Sequence, residues 1–166
     1  MASGDTLLIF TPLMNEPPAS NNATFDTRNG HAVLDFDDTT DETAIFTGVL
    51  PRRYAGGGIT VYLHYAMTSA TTGKVRLETS FERIGNAQQD IDSDGFASAN
   101  GVNVAAVPGT SGNVDIVNVV HTNGAQIDSI AVGEAFRLKV QRKPSDTTND
   151  TATGDLELVA VELKET

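Results

Sequence analysis

The chain has 166 residues, a length that makes one domain with an ordinary hydrophobic core. Its 22 acidic side chains against 11 basic ones leave a formal charge of −11. With no cysteine there is no thiol nucleophile, no zinc–cysteine site and no disulfide framework, and either redox surrounding suits such a chain. A pI near 4.5 argues against partners whose phosphates must be neutralised, which sets aside nucleic acid and anionic membranes.

From the amino terminus, no basic residue precedes Arg28, so no secretory signal is expected in this sequence. No apolar run approaches the roughly 20 residues of a membrane-spanning helix. The expectation is a soluble protein that acts where it is made or is released by lysis. Two sequons, at Asn22 and Asn149, are of the kind that arises by chance and are set aside for want of a signal.

Period-two alternation dominates from about residue 31, and no window carries a 3.6-residue stripe long enough for a major helix. Strands are predicted at about 6–10, 31–36, 43–49, 59–67, 75–82, 113–122, 136–140 and 156–163. The clearest is Val75–Glu82, where Val75, Leu77, Thr79 and Phe81 face a core while Arg76, Glu78, Ser80 and Glu82 face water. Along 59–67 the odd positions are apolar, but Ala66 and Tyr62 make the opposite face only half polar, as in a strand covered on both sides. The run 156–163 starts with even positions apolar and ends with Val159, Val161 and Leu163 on the other phase, which predicts a β-bulge or burial of both faces.

About eight strands with turn-forming separators and no room for βαβ crossovers give an all-β fold. An antiparallel two-sheet sandwich of jelly-roll type is expected, ahead of an immunoglobulin-like one, whose core Trp and disulfide this composition lacks. The predicted organisation is a first strand and extended arm over 1–30, then a single sandwich over 31–166. Pro12, Pro17 and Pro18 lie in the arm segment 11–30, which is expected to reach a neighbouring subunit. The stretch 85–112, small and polar, is predicted as a long functional or contact loop.

Candidate chemistry is sparse. Asp35-Phe36-Asp37-Asp38-Thr39 resembles the strand-end DxDxT motif of haloacid-dehalogenase-type phosphatases, in which Asp35 would be nucleophile, Asp37 the acid–base and Thr39 the phosphate-binding hydroxyl. Asp38 stands where that family has glycine, and the flanking helices have no sequence to form them, so the motif reads as a strand running into an acidic turn. Asp90, Asp92 and Asp94 before Gly95 begin like a calcium loop, but the twelfth position is Gly101 rather than a bidentate acid. His31, His64 and His121 fall on different strands without ligand spacing. Arg52-Arg53 beside Tyr54 is the densest basic spot. For sugar stacking, Tyr54 lies in a loop while Tyr62 and Tyr65 alternate across one strand. No catalytic, cofactor-binding or metal-binding residue is assigned, and no cofactor is expected.

The segments Phe25–His31, Val33–Asp37, Ala44–Pro51 and Gly58–Leu63, together with the proline-bearing arm and Ala/Thr/Gly-rich loops, resemble small β-sandwich virion proteins of tailed bacteriophages. The resemblance implies a non-enzymatic capsid decoration or cement protein. It further implies a homotrimer seated on a major capsid protein shell in the virion, bound to neither nucleic acid nor membrane. The other reading is a carbohydrate- or receptor-binding sandwich of a phage tail or a glycan-degrading system.

Overall fold

The computed structural model describes residues 4–87 and 90–166. Ten strands follow one another: β1 (Thr6–Phe10), β2 (Thr24–Arg28), β3 (His31–Phe36), β4 (Thr43–Val49), β5 (Ile59–Met67), β6 (Val75–Ile84), β7 (Asn100–Val104), β8 (Asp115–His121), β9 (Ala135–Arg142) and β10 (Leu156–Glu165). Among the described residues, helix is confined to two single 3₁₀ turns, Pro12–Met14 and Ala125–Ile127. All strand pairs are antiparallel. Sheet A runs β2-β3-β10-β5-β8, with β1 also paired to β10, and sheet B runs β4-β9-β6-β7. The fold is the expected two-sheet jelly-roll-like sandwich.

Alternation decides which side chains fill the space between the sheets. Leu34, Phe36, Leu63, Tyr65, Leu158 and Val161 from sheet A meet Phe46, Leu77, Phe81, Phe136 and Leu138 from sheet B, all buried in one cluster. The phase change in β10 is a bulge: its register with β5 shifts between Leu158 and Ala160. There β10 also changes partner on its other edge, from β3 at 156–158 to β1 at 161–164. One extra residue thus lets a single strand serve two shorter neighbours laid end to end.

Two strands fall in segments read as irregular. β2 lies inside the arm and forms a hairpin with β3 through Asn29-Gly30, both at positive φ (49° and 78°), as a two-residue type I′ turn requires. The rest of the arm stays on its own sandwich. Ile45 donates its backbone N–H to Asn15 Oδ1 (2.9 Å), Glu16 N–H donates to the Ile45 carbonyl (2.7 Å), and Ala23 and Thr43 continue the pairing. The segment therefore covers the free edge of β4, which an isolated sandwich would otherwise leave open to other chains. Residues 1–3 of the predicted 1–30 unit lie outside the described residues.

The 85–112 stretch contains β7, paired with β6, so it is shorter as a loop than expected; residues 88 and 89 lie outside the described residues. Its 94–99 portion lies over sheet B. The Ala97 N–H donates to the Phe81 carbonyl (2.8 Å), and the Phe96 ring sits beneath Arg137 and Lys139 at 5.2 and 4.9 Å. This cover explains why Ser80 and Glu82, expected in water, are buried. Glu82 is ion-paired with Arg137 at 2.8 Å. The half-apolar outer side of β5 has a similar local cause: β5 lies between β10 and β8 in sheet A, and Thr60 and Ala66 on that side are buried within the same chain.

Candidate functional site

Of the two outer sheet faces, that of sheet B is partly covered by residues 94–99 and laced with ion pairs. The outer face of sheet A carries no comparable cover among the described residues. Strand register lays its side chains in rows. One row runs Ile9, Glu162, Tyr62, Asn118; the next runs Ala160, His64, Ile116; a third runs Thr24, Asp35, Glu157, Ala66.

At the last of these rows the face opens into a cleft of about 440 Å³ lined by Arg28, Asn29, His31, Val33, Ala66, Gly112, Val114, Glu157 and Val159. Its floor is small and apolar, from Val33 on β3, Ala66 on β5 and Val159, which the β10 bulge turns outward. Polar groups converge on its margin. The Arg28 guanidinium pairs with the buried Glu157 carboxylate and donates to the Met67 carbonyl (3.0 Å) and Ser111 Oγ (3.1 Å). That fork ties the β2–β3 hairpin to β10 and to the segment before β8. It lies so close to Gly112, whose φ is +80°, that a Cβ there would meet Arg28 Nη2 at 2.8 Å. His31 and Asn29 are exposed at the rim.

Beside Glu157, Asp35 is only half covered, yet one of its carboxylate oxygens is buried without a hydrogen-bond partner. Desolvation, then the charges of Glu157, Asp26, Asp155 and Glu42, push its pKa up from 3.8 to about 6. A raised folded-state value means that stability is greatest below pH 3.8 and is lost as pH rises through about 6. Asp35→Asn is therefore expected to stabilise the protein at pH 7.5 by about 1 kcal/mol, a figure discounted for screening at a half-exposed site. Urea denaturation at pH 7.5 checks this, and a stability equal to or below wild type contradicts it.

The other sequence candidates scatter. Asp37 accepts the Thr39 and Thr40 backbone N–H groups and the Thr39 hydroxyl, so it closes an acidic turn at the end of β3 rather than facing a substrate with Asp35. Asp37, Asp38 and Asp155 bring carboxylate oxygens within 4.8 Å of one another, the one such grouping among the described residues. Asp38 is engaged by the Gly154 N–H. Asp90, Asp92 and Asp94 lie in a turn in which Asp90 accepts the Asp92 N–H and Asp94 accepts the Gly95 N–H, with no convergence of the three.

The histidines separate: His31 on the cleft rim, His64 on the outer face, His121 in the interior. Arg53 donates to the Thr6 carbonyl, and Tyr54 is buried, its hydroxyl donating to Asn123 and accepting the Gly58 N–H. Tyr65 is buried and bonded to Asp115, which leaves Tyr62 as the tyrosine on the open face, with Lys164 Nζ 5.6 Å from its ring centre. The cleft residues Arg28, Asn29 and Glu157 belong to no motif. The Asn29-Gly30 turn signal was the one sequence clue that this corner exists.

No protein-family model and no curated protein matches the chain. Among solved structures, it is similar to a family 11 carbohydrate-binding module from Clostridium thermocellum in complex with a β-1,3-1,4-mixed-linked tetrasaccharide (8% identity, 98% of this chain and 96% of that one, TM-score 0.49). It is also similar to a carbohydrate-binding module of Cellvibrio mixtus lichenase 5A in complex with cellotriose (12% identity, 98% and 99%, TM-score 0.47). A structure of infectious bursal disease virus, Gx strain, aligns with 99% of this chain and 33% of that one (11% identity, TM-score 0.37). At these scores the likenesses carry no functional argument.

Proposed function

We propose that the protein is a non-catalytic glycan-binding sandwich whose site is the cleft on the outer face of sheet A. The observation that carries this is the lining: a shallow apolar floor of Val33, Ala66 and Val159 ringed by Arg28, Asn29, His31 and Glu157. A sugar ring presents C–H faces and a belt of hydroxyls, and an open apolar floor with a few fixed polar groups matches both. Along β5 the outer side chains Ala66, His64 and Tyr62 continue from the cleft over roughly 13 Å, four residues at strand rise, which gives a short oligosaccharide a track to follow.

Affinity electrophoresis through gels containing soluble polysaccharides tests the reading. Retardation by at least one glycan is expected. His31→Ala, at an exposed rim position, should weaken binding about tenfold, the worth of one well-made hydrogen bond. Wild-type mobility in every gel, or undiminished binding by the variant, counts against this site.

A second reading, capsid decoration in a virion with a homotrimer and a capsid shell as partners, draws support from a different surface. Leu13, Met14 and Phe25 are exposed along the 11–30 segment beside a groove lined by Pro12, Pro17 and Leu34. It requires a trimer in solution, which light scattering decides.

A further inference from the structure

Three Asn-Gly pairs occur in the chain, at 29–30, 100–101 and 123–124. An asparagine followed by glycine is the pair most open to deamidation, since glycine has no side chain to shield its own backbone nitrogen. The fold treats the three differently. Asn100 donates its side-chain amide to the Val120 carbonyl (2.8 Å) and to Gln126 Oε1 (2.9 Å), and Gly101 is paired with Glu78 between β7 and β6. A Cβ on Gly101 would meet the Leu77 carbonyl at 2.9 Å, so that backbone is closely packed. Asn123 is held at one point, its Oδ1 accepting the Tyr54 hydroxyl at 3.2 Å. Asn29 and Gly30 form the exposed tip of the β2–β3 hairpin. Among the described residues, neither the Asn29 side chain nor the Gly30 N–H is hydrogen-bonded, and nothing lies within 4 Å of where a Gly30 Cβ would stand. The Arg28 fork fixes the base of that hairpin and leaves its tip free, and an exposed turn is where a fold opens at least cost.

We infer that Asn29 is a self-modifying site on the cleft rim. Hydroxide takes the Gly30 N–H proton and the nitrogen attacks Asn29 Cγ. The Cγ–Nδ2 bond then breaks, and the leaving nitrogen takes a proton from water to depart as ammonia, which regenerates hydroxide and leaves a five-membered succinimide. Water adds to one of its two carbonyls and breaks one C–N bond. Opening at Cγ yields aspartate; opening at the main-chain carbonyl yields isoaspartate, with the chain rerouted through Cγ. Either way one water is consumed and one ammonia leaves. Both products place a carboxylate one residue from Arg28 on the cleft wall, and isoaspartate also lengthens a two-residue turn by one backbone carbon. The charge and shape of the rim therefore change with the age of the molecule. This chemistry belongs to the turn and does not depend on what the cleft binds.

Ageing the full chain in mildly alkaline buffer tests this, with mass spectrometry of the three Asn-Gly peptides and isoelectric focusing of the intact protein over time. Asn29 is expected to convert first, about tenfold ahead of Asn100, the factor that a modest difference in opening free energy makes. A species one charge more acidic should accumulate in step. In denaturing urea the three pairs should convert at similar rates, because only the fold sets them apart. Asn29→Gly, which a type I′ turn accepts, should remove the first acidic species from the folded protein. Conversion of Asn100 or Asn123 ahead of Asn29 in the native protein overturns the inference. So does an Asn29 that survives in the native protein for as long as the urea-treated chain takes to convert.

Discussion

Arg142→Ala is expected to cost about 3–5 kcal/mol of stability, the largest effect of any single substitution considered, because it strands a buried carboxylate. Arg142 closes β9 and is fully buried. All five of its N–H donors are used: Nε and Nη2 on the two oxygens of Asp150 (3.1 and 2.9 Å), Nη2 again on the Ala152 carbonyl (2.8 Å), and Nη1 on the carbonyls of Phe36 and Gly154 (3.2 and 2.9 Å). One side chain therefore fastens the 143–155 connection to the end of β3. Truncation strips Asp150 of its cation, leaving it the Arg76 N–H (3.1 Å), and takes a donor from three carbonyls, and an unmade buried bond costs more than a made one contributes. The paired change Arg142→Met with Asp150→Leu should recover much of the loss, since it removes both charges together. Urea midpoints of the single and double variants check the account; a single variant within 1 kcal/mol of wild type contradicts it.

Lowering the pH from about 6.5 to about 4 should remove about 3 kcal/mol through one residue, His121. Burial pushes its imidazole down to about 4 from the ordinary 6.5, against a smaller opposing effect of its bond to the Gln126 carbonyl. A carbonyl only accepts, so Nδ1 carries the proton and donates to Gln126 (3.1 Å), leaving Nε2 to accept the Thr79 hydroxyl (2.8 Å); the ring meets Phe81 edge-on at 5.0 Å. Such an arrangement suits the neutral ring. Between pH 6.5 and 4 the unfolded chain binds the proton and the folded one does not, so stability falls as pH falls across that window and levels off below it. Asp35 contributes the opposite slope over an overlapping range, so Asp35→Asn steepens the decline while His121→Gln flattens it. Denaturation midpoints at intervals from pH 7 to pH 4 read both; a wild-type curve no steeper than that of His121→Gln refutes the assignment.

Much of the sandwich is legible because its strands alternate. β4 and β5 fall at the positions that alternation predicts, and the phase change in β10 announces the bulge at Val159. β2 is missed because its edge position leaves four of its five residues exposed and so erases the alternation. β7 is missed because Asn100-Gly101 reads as a loop, and its one partner is β6. The same physics hides the cleft. Arg28 and Glu157 are 129 residues apart in sequence and meet only because β2, β3 and β10 are neighbours. Asp35 stood out for its likeness to a phosphatase nucleophile, but its surroundings make it a half-covered acid beside Glu157 with one oxygen buried and unpartnered.

The central claim is that the outer face of sheet A binds a glycan at the corner of Arg28, His31, Ala66 and Glu157. Titrating isotope-labelled protein with chitotriose and cellotriose while following backbone amide shifts tests it most directly. The account predicts saturable shifts concentrated at 28–35, 64–66, 112–114 and 157–159 and absent from the outer face of sheet B. No shift at millimolar sugar, or shifts centred on Leu13, Met14 and Phe25 instead, would contradict it.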